Sequence, residues 1–237
     1  SPGASNSNKI SNEDSSNNSF TINNSSSLNR FSGTDKLDNS KRINYGIHIS
    51  NSNISLKLSQ NYEFTDNSNF HIEQGNNDNL SDLLGSLGII KSIDNYDKNL
   101  QLNYNFRYDF DDDYIKKQDV SINSPSYIGD FTISYLDQRS KVDNVIKKDT
   151  ETLNYSFKSK KFLDFSEINF NGLYDLQKEI NTEYSFGYKY FDECFGVNLN
   201  FTRKSYEKDD LKPQDLLTLM FSFKNIGSYK STNLAVS

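Results

Sequence analysis

Few side chains in this 237-residue sequence carry chemistry of their own. Histidine, the usual general base, occurs twice, at His48 and His71. A nucleophile activated by histidine needs a positioned base and a third group to orient it. His48 shares the polar phase of a candidate strand with Asn44, Gly46 and Ser50, so it reads as a solvated side chain on the wet face. His71 falls in a loop. Asp111, Asp112 and Asp113 are potential calcium ligands, yet they lack the Gly and Glu spacing of a calcium loop and read as a charged turn. Gly-rich phosphate loops and Cys/His zinc spacings are absent from the sequence. No catalytic residue, metal site or cofactor is therefore expected, and the chain is not read as an enzyme. Cys194 is the single cysteine, which excludes an internal disulfide framework.

The informative pattern lies in the elements. Leu100, Leu102, Tyr104, Phe106, Tyr108 and Phe110 alternate with Asn99, Gln101, Asn103, Asn105, Arg107 and Asp109. This two-residue period makes one face of a long strand apolar and the other polar. It returns at Ile180, Thr182, Tyr184, Phe186, Tyr188 and Tyr190, then at Phe195, Val197, Leu199 and Phe201, and at Leu217, Leu219, Phe221 and Phe223. Strands of roughly ten residues with one apolar face are the length that crosses a bilayer when tilted. The expected fold is all-β: a transmembrane antiparallel outer-membrane β-barrel, of which this chain supplies a C-terminal part of about eleven strands. Leu102, Tyr104, Phe106, Tyr108, Tyr184, Phe186 and Tyr188 are expected to face lipid.

Composition agrees. Hydrophobic residues make up 34% and mean hydropathy is -0.78, both low for a globular core, yet 14% of residues are aromatic and they fall in register. A disordered chain explains the first facts and not the last; a barrel with a wet interior explains all three. No run of about 18 apolar residues exists, so a membrane helix is excluded. A net charge of -6 argues against nucleic acid as a partner. The sequence starts at Ser1 with no signal peptide, so it is expected to be the C-terminal piece of a longer precursor.

Residues 1–40 are Ser/Asn-rich and read as a long extracellular or lumenal loop. Residues 41–226 carry the strands, at 42–50, 53–64, 85–94, 98–110, 113–123, 127–138, 150–160, 164–176, 179–191, 194–206 and 214–226, and 227–237 form a periplasmic tail. Longer charged connections are expected at Thr65–Leu84, Leu136–Thr150 and Tyr206–Pro213, with tight turns near Asp111 and Gln177. Short turns belong to the periplasmic side of such barrels, which puts the turn 191–193 and the C-terminus there. A lone exposed thiol is unusual in that oxidising compartment. Cys194 therefore either pairs with a cysteine outside this sequence or is an unpaired small residue in a turn.

Three stretches together resemble the LPS-assembly protein of the Gram-negative outer membrane, the LptD family. The first is Asn12-Glu13-Asp14-Ser15, followed by Leu28–Lys36 with its Arg30-Phe31-Ser32-Gly33-Thr34-Asp35 core and by Arg42-Ile43-Asn44-Tyr45-Gly46. The second is Tyr190-Phe191-Asp192-Glu193-Cys194-Phe195-Gly196-Val197, similar to the family's cysteine turn before its penultimate strand. The third is Leu219-Met220-Phe221-Ser222-Phe223-Lys224-Asn225-Ile226-Gly227, similar to its final strand. Lys36 stands where the family usually has Arg, and Glu193 where it often has a second Cys.

The resemblance implies lipopolysaccharide transport and assembly in the cell outer membrane, through a barrel of twenty-six strands. It implies a lipoprotein that plugs the lumen, a periplasmic N-terminal domain that meets the LPS-transport bridge, and lipid leaving sideways between first and last strands. This chain would supply one wall of that exit, with Leu217, Thr218, Leu219, Phe221, Phe223, Asn225 and Gly227 on or after its last strand. At most one of the family's disulfides to its N-terminal domain is then formed through Cys194. A general porin or small-solute barrel is the alternative, and a soluble β-sandwich fragment a third reading, in which the apolar faces are buried between two sheets.

Overall fold

The computed structural model describes residues 16–17, 20–27, 29, 31–32, 41–64, 79–93, 98–162, 164–205, 213–224, 227–230 and 234–236. Every regular element among them is a strand: β1 (Ser16–Asn17), β2 (Phe31–Ser32), β3 (Arg42–Ser50), β4 (Ile54–Glu63), β5 (Leu83–Ser92), β6 (Asn99–Asp109), β7 (Tyr114–Pro125), β8 (Gly129–Val142), β9 (Val145–Ser159), β10 (Ser166–Asp175), β11 (Ile180–Phe191), β12 (Phe195–Lys204), β13 (Gln214–Phe223), β14 (Gly227–Lys230) and β15 (Leu234–Val236). β1 pairs with β2; β3 to β14 lie side by side in chain order in one sheet, and β15 also pairs with β13. Such an up-and-down order needs only local connections. The chain divides into two compact units, residues 1–89, 103–119 and 138–149 in one and 90–102, 120–137 and 150–237 in the other.

All eleven expected long strands are present as β3 to β13. The expected long connection at Leu136–Thr150 is not. β8 runs on to Val142, β9 begins at Val145, and Asp143 and Asn144 make a two-residue turn with φ of 52° and 61°. Positive φ at both central residues is the hairpin turn that Asp and Asn tolerate. At its tip Lys141, Lys147 and Lys148 stand among the exposed Val142, Val145 and Ile146, so the hydrophobic period is lost while the backbone pairing continues. The turns expected near Asp111 and Gln177 share one device. The Asp109 carboxylate accepts from the Asp111 and Asp112 amides at 2.9 and 3.2 Å, and that of Asp175 from Gln177 and Lys178 at 3.0 and 3.1 Å. Asp113 and Glu179 then take φ of 54° and 56° to close them.

Burial is inverted relative to a soluble domain. Among the described residues Phe20, Leu84, Tyr114 and Pro125 are buried apolar side chains, against thirteen buried polar ones. Ile43, Ile47 and Ile49 on β3 are 54%, 58% and 62% exposed. The register makes the apolar faces continuous: Ile47 opposes Leu58, and Leu58 opposes Gly85. Likewise Phe157 opposes Phe170, Phe170 opposes Phe186, Phe186 opposes Phe201 and Phe201 opposes Leu217. Phe106 covers Gly85 so closely that no Cβ fits there, which places Phe106 on that same apolar face. In water so large an exposed apolar face is an aggregation hazard; against lipid it is the expected surface of a barrel.

Candidate functional site

Three places concentrate interactions. The first is the polar face of β4. Residues 22–26 form turns, with the Ser25 amide donating to the Thr21 carbonyl at 3.0 Å. The Ser59 hydroxyl bonds to that of Ser25 at 3.0 Å and the Asn61 amide donates to the Ser25 carbonyl at 3.1 Å. The Arg42 guanidinium donates to the Ser27 carbonyl. This short stretch thus covers Ser59, Asn61 and Glu63, which are at most 9% exposed. Phe20 and Leu84, each 2% exposed, help line a cavity of about 170 Å³ with Ile22, Asn105 and Asp119. The rest of the loop expected at 1–40, apart from β1, β2 and Asn29, lies outside the described residues, as does His71.

The second place is a buried charge cluster at one end of β5, β6 and β7. Asp82 precedes β5, Arg107 and Asp109 close β6, and Lys116 stands near the start of β7. Lys116 Nζ lies 3.2 Å from Asp82 Oδ1 and 2.6 Å from Asp109 Oδ2, and Arg107 Nε lies 3.4 Å from Asp82 Oδ2. All four side chains are less than 10% exposed. Two carboxylates thus face two cations at these distances; a buried charge is tolerated only when paired. Sequence reasoning missed it, because its members come from separate strands and carry no motif.

The third place spans the turn of Cys194 and the strand β13. Asp192 Oδ1 accepts from the amides of Cys194 and Phe195 at 2.9 and 2.7 Å. These two amide bonds hold the Asp192 carboxyl below the usual carboxylate range. Cys194 is exposed, and its carbonyl accepts from the Lys224 amide at 3.0 Å, tying the turn to the end of β13. On the apolar face Phe195 lies 6.1 Å from Phe221 and 5.3 Å from Phe223, centroid to centroid. Leu217, Leu219, Phe221 and Phe223 oppose Phe201, Leu199, Val197 and Phe195, and Thr218 opposes Asn200 on the polar face. Tyr184, Phe186 and Tyr188 continue that apolar face across β11. Where the sequence suggested a last strand through residue 226, β13 ends at Phe223, Gly227 opens β14, and Asn225 lies outside the described residues.

Among the described residues no group of His, Cys, Asp and Glu is placed to ligate a metal. No helix of the described chain is long and apolar enough to cross a membrane, which says nothing of crossing by strands. Among curated proteins no match was found. The model of the family described as LPS transport system D, LptD, matches residues 1–229. With nearly the whole length matched and an all-β chain whose apolar residues are largely exposed, the chain belongs to the LptD family of outer-membrane β-barrel proteins that transport and assemble lipopolysaccharide.

Proposed function

We propose that β13 is one wall of a lateral exit through which lipopolysaccharide passes from the barrel into the outer leaflet. The observation that carries this reading is the asymmetry of its two edges. Ten consecutive residue pairs bond β13 to β12. The other edge is bonded in two short pieces, four pairs to β14 and three to β15. In lipid each unpaired backbone group costs several kcal/mol, so a barrel opens where the fewest continuous bonds must break. A wet polar face gives the sugar head a path while the acyl chains meet the apolar outside. On this reading the apolar face that carries Leu102, Tyr104, Phe106, Tyr108, Tyr184, Phe186 and Tyr188 meets lipid. The family's lumen lipoprotein and periplasmic LPS-transport bridge are then the partners.

Cysteines placed at Thr218 and on the strand that closes the barrel against β13 are expected, once oxidised, to stop lipopolysaccharide reaching the cell surface while the barrel stays folded. Normal surface lipopolysaccharide in a fully crosslinked strain would rule out the lateral exit and favour a porin.

Cys194 is proposed to pair with a cysteine elsewhere in the full-length protein, on the periplasmic side. Its exposure and the bonds of the Asp192 turn, which hold it at the surface, support this. Full-length protein is expected to change its migration on reduction and to resist thiol labelling at Cys194 before it. Identical migration with complete labelling would show a free thiol.

A further inference from the structure

We propose that the polar face of β10 to β13 carries a saccharide-binding groove, which holds the sugar head of lipopolysaccharide beside β13 as the lipid leaves. The inference rests on reading β13 as a wall of the exit, and names what its polar side meets there. The groove has a volume of about 450 Å³, a usual size for a ligand cleft. Such clefts are mostly apolar, with a few polar groups that orient the ligand. This one is the reverse: of its described lining side chains only Met220 is apolar. Its match is a ligand that is polar over most of its surface.

Sheet register builds the groove. Asn169 opposes Gly187, Gly187 opposes Asn200, and Asn200 opposes Thr218, one row across four strands. The Asn169 amide lies against Gly187 so closely that no Cβ fits there. In the next row Lys189 opposes Asn198, and Asn198 opposes Met220. Both rows end on β13. The side-chain amides of Asn169 and Asn198 are half-buried and make no hydrogen bond to another described residue. An amide group both donates and accepts. Each sugar hydroxyl does the same, so these groups suit hydroxyls better than carboxylates or acyl chains. Lys158 pairs with Glu167 at 3.4 Å, while Lys189 is exposed and makes no ion pair among the described residues. A phosphate on the sugar head meets that ammonium in a charge-assisted bond.

The test uses the full-length protein, purified in detergent as the cell assembles it, with a photo-reactive phenylalanine analogue in place of Met220. The probe is lipopolysaccharide stripped of its acyl chains, so capture reports the sugar head alone; joined peptides are identified by mass spectrometry. Capture at 220 is expected to saturate with the probe. The same analogue in place of Val197, on the apolar face of β12, is expected to capture none. Asn169→Leu with Asn198→Leu removes both amides at similar volume and should weaken capture on the order of tenfold. Lys189→Gln should weaken capture of the phosphorylated probe and leave that of a dephosphorylated probe unchanged. Heat-modifiable migration checks that each variant is folded. No capture at 220, equal capture at 197, or full capture without the two amides in a folded barrel would overturn the proposal. So would inorganic phosphate that abolishes capture, which leaves only an anion site at Lys189, or a protein joined at 220 in place of the probe. If the sugar is captured but locking the seam leaves surface lipopolysaccharide normal, the lateral exit fails and the groove stands. If locking stops export and no sugar is captured, the exit stands and the groove fails.

Discussion

Phe106→Arg is expected to abolish assembly of the barrel, while Asn105→Arg next to it is expected to leave the barrel folded. The two residues are adjacent on β6 and differ by face. Phe106 covers Gly85 on the apolar face, 5.8 Å from the Tyr104 ring, centroid to centroid. Asn105 points the other way and donates to Asp119 at 2.8 Å. A cation on the lipid face of a barrel costs about 2–4 kcal/mol near mid-bilayer. The change also removes the ring that packs on Gly85. At position 105 the new guanidinium meets the Asp119 carboxylate and water. Phe106→Leu, which keeps the face apolar, separates the charge from the lost ring and should assemble. Heat-modifiable migration of membrane fractions reads all three. Equal tolerance of the two arginines would sink the assignment of this face to lipid.

The strands were legible because a bilayer imposes a period. Apolar and polar residues alternate along most of β6, β11, β12 and β13, with Thr182, Leu216 and Met220 out of phase, so these strands stand out without any motif. The tight turns were legible in part. Asp109 and Asp175 sit where a carboxylate can cap two amides, and the pair Asp143-Asn144 carries a hairpin signal that the surrounding lysines masked. The overreach at 136–150 came from reading loss of alternation as loss of strand. At the tip of β8–β9 the lysines at 141, 147 and 148 break the alternation around Val142, Val145 and Ile146, and the sequence there resembles a loop. The Ser140 hydroxyl on the Asp149 carboxylate, at 2.7 Å, joins its two strands there. The tail strands β14 and β15 escaped notice because four and three residues are too few to show a period. The charge cluster escaped because nothing in the order Asp82, Arg107, Asp109, Lys116 says that three strands bring these groups within 4 Å. The resemblance that led to the family rested on short blocks, and one of them, around Cys194, proves to be a turn fixed by Asp192.

Lys116→Met is expected to destabilise the barrel by about 3–5 kcal/mol, the usual result of removing one partner from a buried ion pair. Methionine fills much the same volume, so the loss is one of charge. The Lys116 ammonium serves both carboxylates, at 3.2 Å from Asp82 and 2.6 Å from Asp109. Without it Arg107 still faces Asp82 at 3.4 Å, and Asp109 keeps only the turn amides of Asp111 and Asp112 on its other oxygen. Asp82 and Asp109 then lose the ammonium they share, and the two buried carboxylates face one cation fewer. The penalty falls on the hairpin β6–β7, because Asp109 also caps the turn that joins those strands. Arginine at position 116 keeps the charge and is expected to keep the fold, which separates electrostatics from packing. Replacing Asp109 by Asn in the Lys116→Met background removes one unpaired charge and should recover part of the loss. The midpoint of urea unfolding in detergent or vesicles measures each variant. A Lys116→Met barrel as stable as the parent would mean that the cluster is solvated in the membrane, and that its charges hold nothing together.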